Sequence, residues 1–171
     1  MKSRDIAIVG ICLAIGAILR FVANMFPGAI VGNPVIALYC LAIILIRPTF
    51  KEAAGIGLVA GVLSMLISHS IFPPANLISE PLGAIACAAV YGLVSTKTLG
   101  PAATTFVATC VSGFSFVLIA MAVMLASIVA VPAETVAGFF MAVLPIVLIT
   151  AVFNAIVTQI LFFPAKRVYV R

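Results

Sequence analysis

Charge is scarce in this chain. Four acidic residues, nine Lys and Arg and one His are all that 171 residues carry: 8% are charged, 65% hydrophobic, and mean hydropathy is +1.41. A soluble domain has about 25% charged residues, so composition excludes one. One histidine and four carboxylates supply too few ligands for metal-dependent chemistry. HExxH, GxSxG and a Walker lysine are absent as well. The chain therefore reads as a non-enzyme, with no metal or cofactor, that cannot hydrolyse ATP itself. Cys12, Cys40, Cys87 and Cys110 lie far apart within apolar runs, with no CxxC and no Cys/His pairing. That excludes a zinc or redox site and leaves them as small apolar residues. No basic cluster occupies a solvated face, so nucleic acid is not a partner.

What is present is a series of six apolar runs, at about 6–26, 34–46, 53–70, 77–94, 102–129 and 135–163. A helix needs about 20 apolar residues to cross a bilayer. The predicted architecture is an all-α integral membrane protein, a six-transmembrane-helix bundle forming a single domain over 1–171. The first run follows Lys2 and Arg4 as a signal peptide would, but it continues to Met25 without a small-residue cleavage site, so it reads as a retained helix. Pro27-Gly28, Arg47-Pro48 and Phe72-Pro73-Pro74 punctuate the runs. Pro81 is tolerable only if it sits in the first turn of its helix. The second and fourth runs are short and the last two long, which predicts tilting of the latter and a depression on one face. Irregular chain at membrane depth must be buried or line a cavity, and the segments 29–33 and 73–79 are the candidates.

The basic residues set a topology. Lys2 and Arg4 precede the first run; Arg47 and Lys51, then Lys97, lie in alternate loops; Lys166, Arg167 and Arg171 follow the last run. Short loops rich in Lys and Arg stay in the cytoplasm. Both termini are therefore expected to be cytoplasmic. Arg20, near the outer end of the first run, is the exception.

Polar groups gather in the predicted outer half: Arg20, Asn24, Asn33, Tyr39, His69, Asn76, Ser79, Glu80 and Glu134. An ionisable group inside a span costs about 2.5–3.5 kcal/mol on insertion scales and tends to mark a pair or a substrate path. Arg20 can fork onto a carboxylate and Glu80 can accept from an ammonium, so the two in one pocket suit a zwitterion such as an amino acid. Against this stand mutual neutralisation and the snorkelling of Arg20 to headgroups. His69 can bond a ligand, sense pH, or merely cap a helix. Asn76 can read a ligand or hold an Asx-turn. Asn154, Thr158 and Gln159 form a polar strip that reads as interhelical glue. Gly10 with Ala14, and Cys12 with Gly16, make two small-xxx-small pairs that let another helix approach.

Several stretches together resemble a known family. They are Leu13-Ala14-Ile15-Gly16-Ala17, Leu41 to Leu45 with Pro48, Gly57 to Ser64, Phe72-Pro73, Asn76-Leu77-Ile78-Ser79-Glu80-Pro81, and Val143-Leu144-Pro145 followed by Asn154. With six runs and cytoplasmic termini, the chain resembles the S component of an energy-coupling factor (ECF) transporter, and within that group the tryptophan-transport family. The family pattern has Asp-Lys where this chain has Ser79-Glu80, and Lys-Pro-Asp where it has Asn33-Pro34-Val35. The resemblance implies a substrate-capture subunit that docks on a transmembrane T component and two ATPase subunits. It also implies that Gly10 and Ala14 form the docking surface and that Asn76 and Glu80 contact substrate.

Residues and resemblance together predict a subunit that binds tryptophan, or a related aromatic amino acid or vitamin-like molecule, in an outward pocket. Arg20, Asn33, Tyr39, His69, Asn76, Ser79 and Glu80 are its expected lining. The alternative is a stand-alone secondary transporter or channel, which requires a polar lane crossing all depths. The sequence shows polar groups crowded outside and little in the inner half.

Overall fold

The computed structural model describes residues 1–25, 33–67, 70, 72–126 and 133–169; of residues 133 and 134 it describes the backbone alone. Within them the chain forms six α-helices: α1 (Ser3–Ala23), α2 (Pro34–Ile46), α3 (Phe50–Ile67), α4 (Asn76–Val94), α5 (Gly100–Ala126) and α6 (Ala133–Tyr169). A single 3-10 turn, Pro73–Ala75, leads into α4. All helices but α2 are long and apolar enough to cross a membrane. Bulky apolar residues such as Ile11, Ile18, Leu66, Leu118 and Ile160 stand exposed on the outside, the surface expected of a chain whose solvent is lipid.

α2 is the centre of the bundle. Its 13 residues at about 1.5 Å each reach roughly 20 Å, short of the ~30 Å hydrocarbon core. It touches each of the other five helices, and ten of its residues, Val35 through Ile44, are buried. A helix apolar all round is stable where protein surrounds it. Pro34 opens it at a position that needs no intrahelical donor. Arg47 closes it in the left-handed region, φ 54° and ψ 58°, which keeps the residue before Pro48 out of the right-handed α region that a proline disfavours.

The surrounding helices turn a single stripe inward. On α1 this is Val9, Cys12, Leu13 and Gly16, spaced so that at ~100° per residue Arg20 continues it. On α4 it is Asn76, Ser79, Glu80, Gly83, Ala84, Cys87 and Tyr91. α3 meets α4 through Gly57 and Gly61, four residues apart. A Cβ on Gly57 would lie 2.5 Å from the Pro81 Cα, and one on Gly61 would lie 2.6 Å from the Asn76 carbonyl oxygen. These glycines allow the start of α4 to lie against α3. Pro81 falls in the second turn of α4, not the first, because the helix begins at Asn76 and the Pro73–Ala75 turn precedes it. There its ring removes one backbone bond beside the Gly57 contact. α6 likewise runs past Pro164 to Tyr169, where the Arg4 guanidinium donates to the Tyr169 carbonyl and lies over its ring.

The short connections make successive helices alternate in direction. Lys2, Arg4, Arg47, Lys51, Lys97, Lys166 and Arg167 therefore share one end of the bundle, and Arg20 lies toward the other.

A candidate solute-binding cavity

The end opposite the basic loops contains a cavity of about 180 Å³. Small-molecule pockets commonly run to about 300–1,000 Å³, so this one fits a small solute. α1, α2, α4, α5 and α6 each contribute to its wall, with Arg20, Asn33, Asn76, Ser79 and Glu80 among the polar lining. Opposite them stand apolar side chains of α5 and α6, Phe116, Val117, Val143, Ile146 and Val147.

Glu80 organises the polar wall. It is 1% exposed, and among the described residues it accepts from three donors. The Tyr39 hydroxyl and the Ser112 hydroxyl donate to Oε2, each at 3.1 Å, and the Asn33 Nδ2 donates to Oε1 at 3.3 Å. An ionised carboxylate is acceptor-only with about four lone-pair sites, so three donors satisfy most but not all of it. Hydrogen bonds to a charged group contribute about 1.5–3 kcal/mol each, and they oppose the cost of keeping this carboxylate away from water. Gly83, one turn along α4, clears the space: a Cβ there would lie 2.6 Å from the Tyr39 hydroxyl oxygen and 2.9 Å from the Ser112 Cβ.

Arg20 reaches the cavity from α1. Its Nη1 donates to the Ser64 hydroxyl on α3 at 3.2 Å, and its charge acts on Glu80. One turn further, the Asn24 Nδ2 donates to the Ile67 carbonyl at 2.7 Å, which ties the ends of α1 and α3 together. Two oxygens of residues that line the cavity, Asn33 Oδ1 and Ser79 Oγ, are buried without a hydrogen-bond partner among the described residues. The Asn76 Nδ2 is engaged, donating to the Pro73 carbonyl at 2.7 Å. That residue therefore holds the local turn as well as lining the cavity.

The structure thus brings Arg20, Asn33, Asn76, Ser79 and Glu80 to one cavity. Tyr39 stands behind it, fully buried, and acts on it through Glu80. His69 lies outside the described residues, as does the side chain of Glu134. Thr109, Ser112 and Thr150 also line the cavity, and none of them is among the residues expected there from the sequence. The signal was present: Thr105, Thr109 and Ser112 recur at i, i+4 and i+7 along an otherwise apolar helix.

The strip on α6 joins helices. The Asn154 Nδ2 donates to the Thr109 hydroxyl at 3.2 Å, and the Thr158 hydroxyl to the Ala37 carbonyl at 3.1 Å. Gln159 accepts from the Ala102 N–H and donates to the Thr98 carbonyl, both at 3.0 Å, which caps the start of α5. Thr104 and Thr105 are also fully buried below the cavity. The inner half is therefore more polar than the sequence suggests, because short Thr side chains hide among apolar neighbours.

The two small-residue pairs of α1 face different ways. Cys12 and Gly16 are buried, and a Cβ on Gly16 would lie 3.0 Å from the Val35 Cα. Gly10 and Ala14 are exposed, and a Cβ on Gly10 would meet nothing within 4 Å.

The chain is 29% identical over 176 residues to a protein of Bacillus subtilis (strain 168) named as a probable tryptophan transport protein, a match covering 100% of this chain and 95% of the relative. No family model matches the chain. No solved structure matches it. Five of the described helices are long and apolar enough to cross a membrane, and over its full length the chain is similar to a protein named for transport.

Proposed function

We propose that this protein is the substrate-capture subunit of an ECF-type importer, taking up tryptophan or a related aromatic amino acid or vitamin-like molecule. The observation that carries the reading is the composition of the cavity wall. Arg20 and Glu80, with the polar residues Asn33 and Ser79, stand opposite an apolar half built around Phe116. A zwitterion with an apolar side chain matches that division: its carboxylate goes to the guanidinium, its ammonium to Glu80 and Asn33, and its side chain to α5 and α6. The name of the Bacillus relative supports tryptophan or a close analogue.

In this reading the basic end is cytoplasmic by the positive-inside rule, so the cavity opens outward in the cell membrane of a prokaryote. The energy for uptake comes from a T component and two ATPase subunits. The exposed Gly10–Ala14 face of α1 is where the T component docks, since small residues let helices approach closely in lipid. Replacing Gly10 or Ala14 by Leu should abolish uptake and leave binding intact; loss of binding as well would reduce the pair to bundle packing.

Native mass spectrometry of the protein in mild detergent, with a pool of amino acids and vitamins that includes tryptophan, tests the capture reading. One small molecule per chain supports it and identifies the substrate; a folded protein that binds none refutes it. The second reading, a stand-alone secondary transporter or channel, draws on the buried polar residues Thr104, Thr105, Asn154 and Thr158 below the cavity. It predicts uptake into liposomes by the purified chain without ATP, whereas a capture subunit by itself gives none.

A further inference from the structure

Two clefts indent the basic end of the bundle, and they share Arg47 and Tyr91. One, of about 140 Å³, is walled by Ile43, Pro48, Ala88 and Ser95; the other, of about 210 Å³, by Ile44, Leu45, Phe162, Lys166 and Tyr169. Arg47 therefore stands between them. Its guanidinium lies 5.2 Å from the Tyr91 ring centroid, and the Lys166 Nζ lies 5.6 Å from that of Phe162. Aromatic faces hold both cations in place, and neither has a carboxylate partner among the described residues. The nearby carboxylates are used elsewhere: Asp5 accepts from Tyr169 and from the Lys2 N–H, and Glu52 accepts from the Met1 amino group and from Thr49.

The backbone adds a second observation. Arg47 is the described non-glycine residue with positive φ, a conformation in which Asn or Gly is the comfortable occupant. A helix end that needed only a left-handed cap would be better served by either of those. What arginine supplies there is a planar cation fixed at the mouth of both clefts, suited to the oxygens of a phosphate. Beyond the cations the larger cleft is apolar, through Ile44, Leu45 and Phe162, and exposed Ile160 and Phe163 continue the apolar surface of α6.

We propose that the cleft between α2, α4 and α6 is a binding site for one anionic phospholipid. Its phosphate sits between Arg47 and Lys166 and an acyl chain lies along Leu45 and Phe162. Basic pockets between transmembrane helices recognise acidic headgroups in this way, through charge at the interface and apolar contact below it. The inference is independent of what the cavity at the other end binds.

Native mass spectrometry of delipidated protein in mild detergent, offered equal phosphatidylglycerol and phosphatidylcholine with the same acyl chains, provides the test. The expected result is one phosphatidylglycerol per chain, preferred about tenfold, since each interfacial cation contributes modestly to anionic-lipid affinity. R47N/K166Q should bring the preference to parity, while K51Q/K97Q, which removes two charges from the same end, should retain it. R47N keeps the left-handed turn, so circular dichroism should show an unchanged fold; if the double variant fails to fold, K166Q alone should lower the preference at least threefold. Parity in the parent protein, or a preference that survives in R47N/K166Q, overturns the site. Equal loss in K51Q/K97Q would show diffuse charge instead. Displacement of the lipid by millimolar inorganic phosphate would make it a site for soluble phosphate and overturn the lipid assignment.

Discussion

Replacing Gly57 and Gly55 by alanine should move stability in opposite directions, though the two lie two residues apart on one helix. Gly57 faces α4. A Cβ there would sit 2.5 Å from the Pro81 Cα, 2.8 Å from the Glu80 carbonyl oxygen and 2.8 Å from the Ala84 Cβ. Two of those three atoms are backbone, so relief requires α3 and α4 to separate by most of an ångström. Overpacking of this kind costs about 1–3 kcal/mol, and backbone contacts place Gly57 near the upper end. Against it stands the gain from alanine in a helix, at most about 1 kcal/mol. The net effect is a loss of roughly 2 kcal/mol. At Gly55 a Cβ would meet nothing within 4 Å, so only the helix gain remains. For a chain of this size about 1 kcal/mol corresponds to some 2–4 °C in Tm, so G57A should melt roughly 4–8 °C below the parent protein and G55A at or slightly above it. Thermal unfolding in detergent, followed by circular dichroism, measures both. G57A should also weaken solute binding, because the atoms it displaces carry Glu80. A G57A variant that melts with or above G55A would refute the α3–α4 packing that positions the site.

Glu80→Gln keeps the volume but removes the charge that three donors and the solute ammonium address; solute affinity should fall roughly tenfold to hundredfold by calorimetry, and an unchanged Kd would remove Glu80 from the site. Tyr39→Phe deletes one donor to Glu80 without touching the cavity wall, so affinity should fall about tenfold with the fold retained; if binding were untouched, Tyr39 would be ordinary packing. Thr158→Val removes the α6-to-α2 bond to the Ala37 carbonyl, which should lower stability by about 1 kcal/mol and leave solute affinity alone. A shift in Kd there would connect the inner polar strip to the binding site.

Much of the candidate site could be read from the sequence because charge in an apolar chain is conspicuous. Arg20 and Glu80 stand out against their runs, and their spacing from neighbours places each on the inward stripe of its helix. Thr109, Ser112 and Thr150 were missed because a hydroxyl can bond its own helix, as Thr109 does to the Thr105 carbonyl at 2.8 Å. Such residues are compatible with any face of a membrane helix. The Gly57–Gly61 contact followed the same small-xxx-small spacing as Gly10–Ala14, yet one pair is buried and the other exposed. Spacing alone does not distinguish them.

By itself the sequence determined the solvent, the helices and the asymmetry of charge along the bundle. Those follow from composition and from the costs of proline and charge within a span, which act locally. Only the tertiary structure decided which faces meet. In lipid the outside of a helix is as apolar as its inside, so hydrophobicity does not mark the buried stripe. The pairing of Tyr39, Asn33 and Ser112 on one carboxylate, and of Thr158 with Ala37, joins residues 32 to 121 positions apart. Close packing at glycines and buried hydrogen bonds select those partners, and both are properties of two helices together.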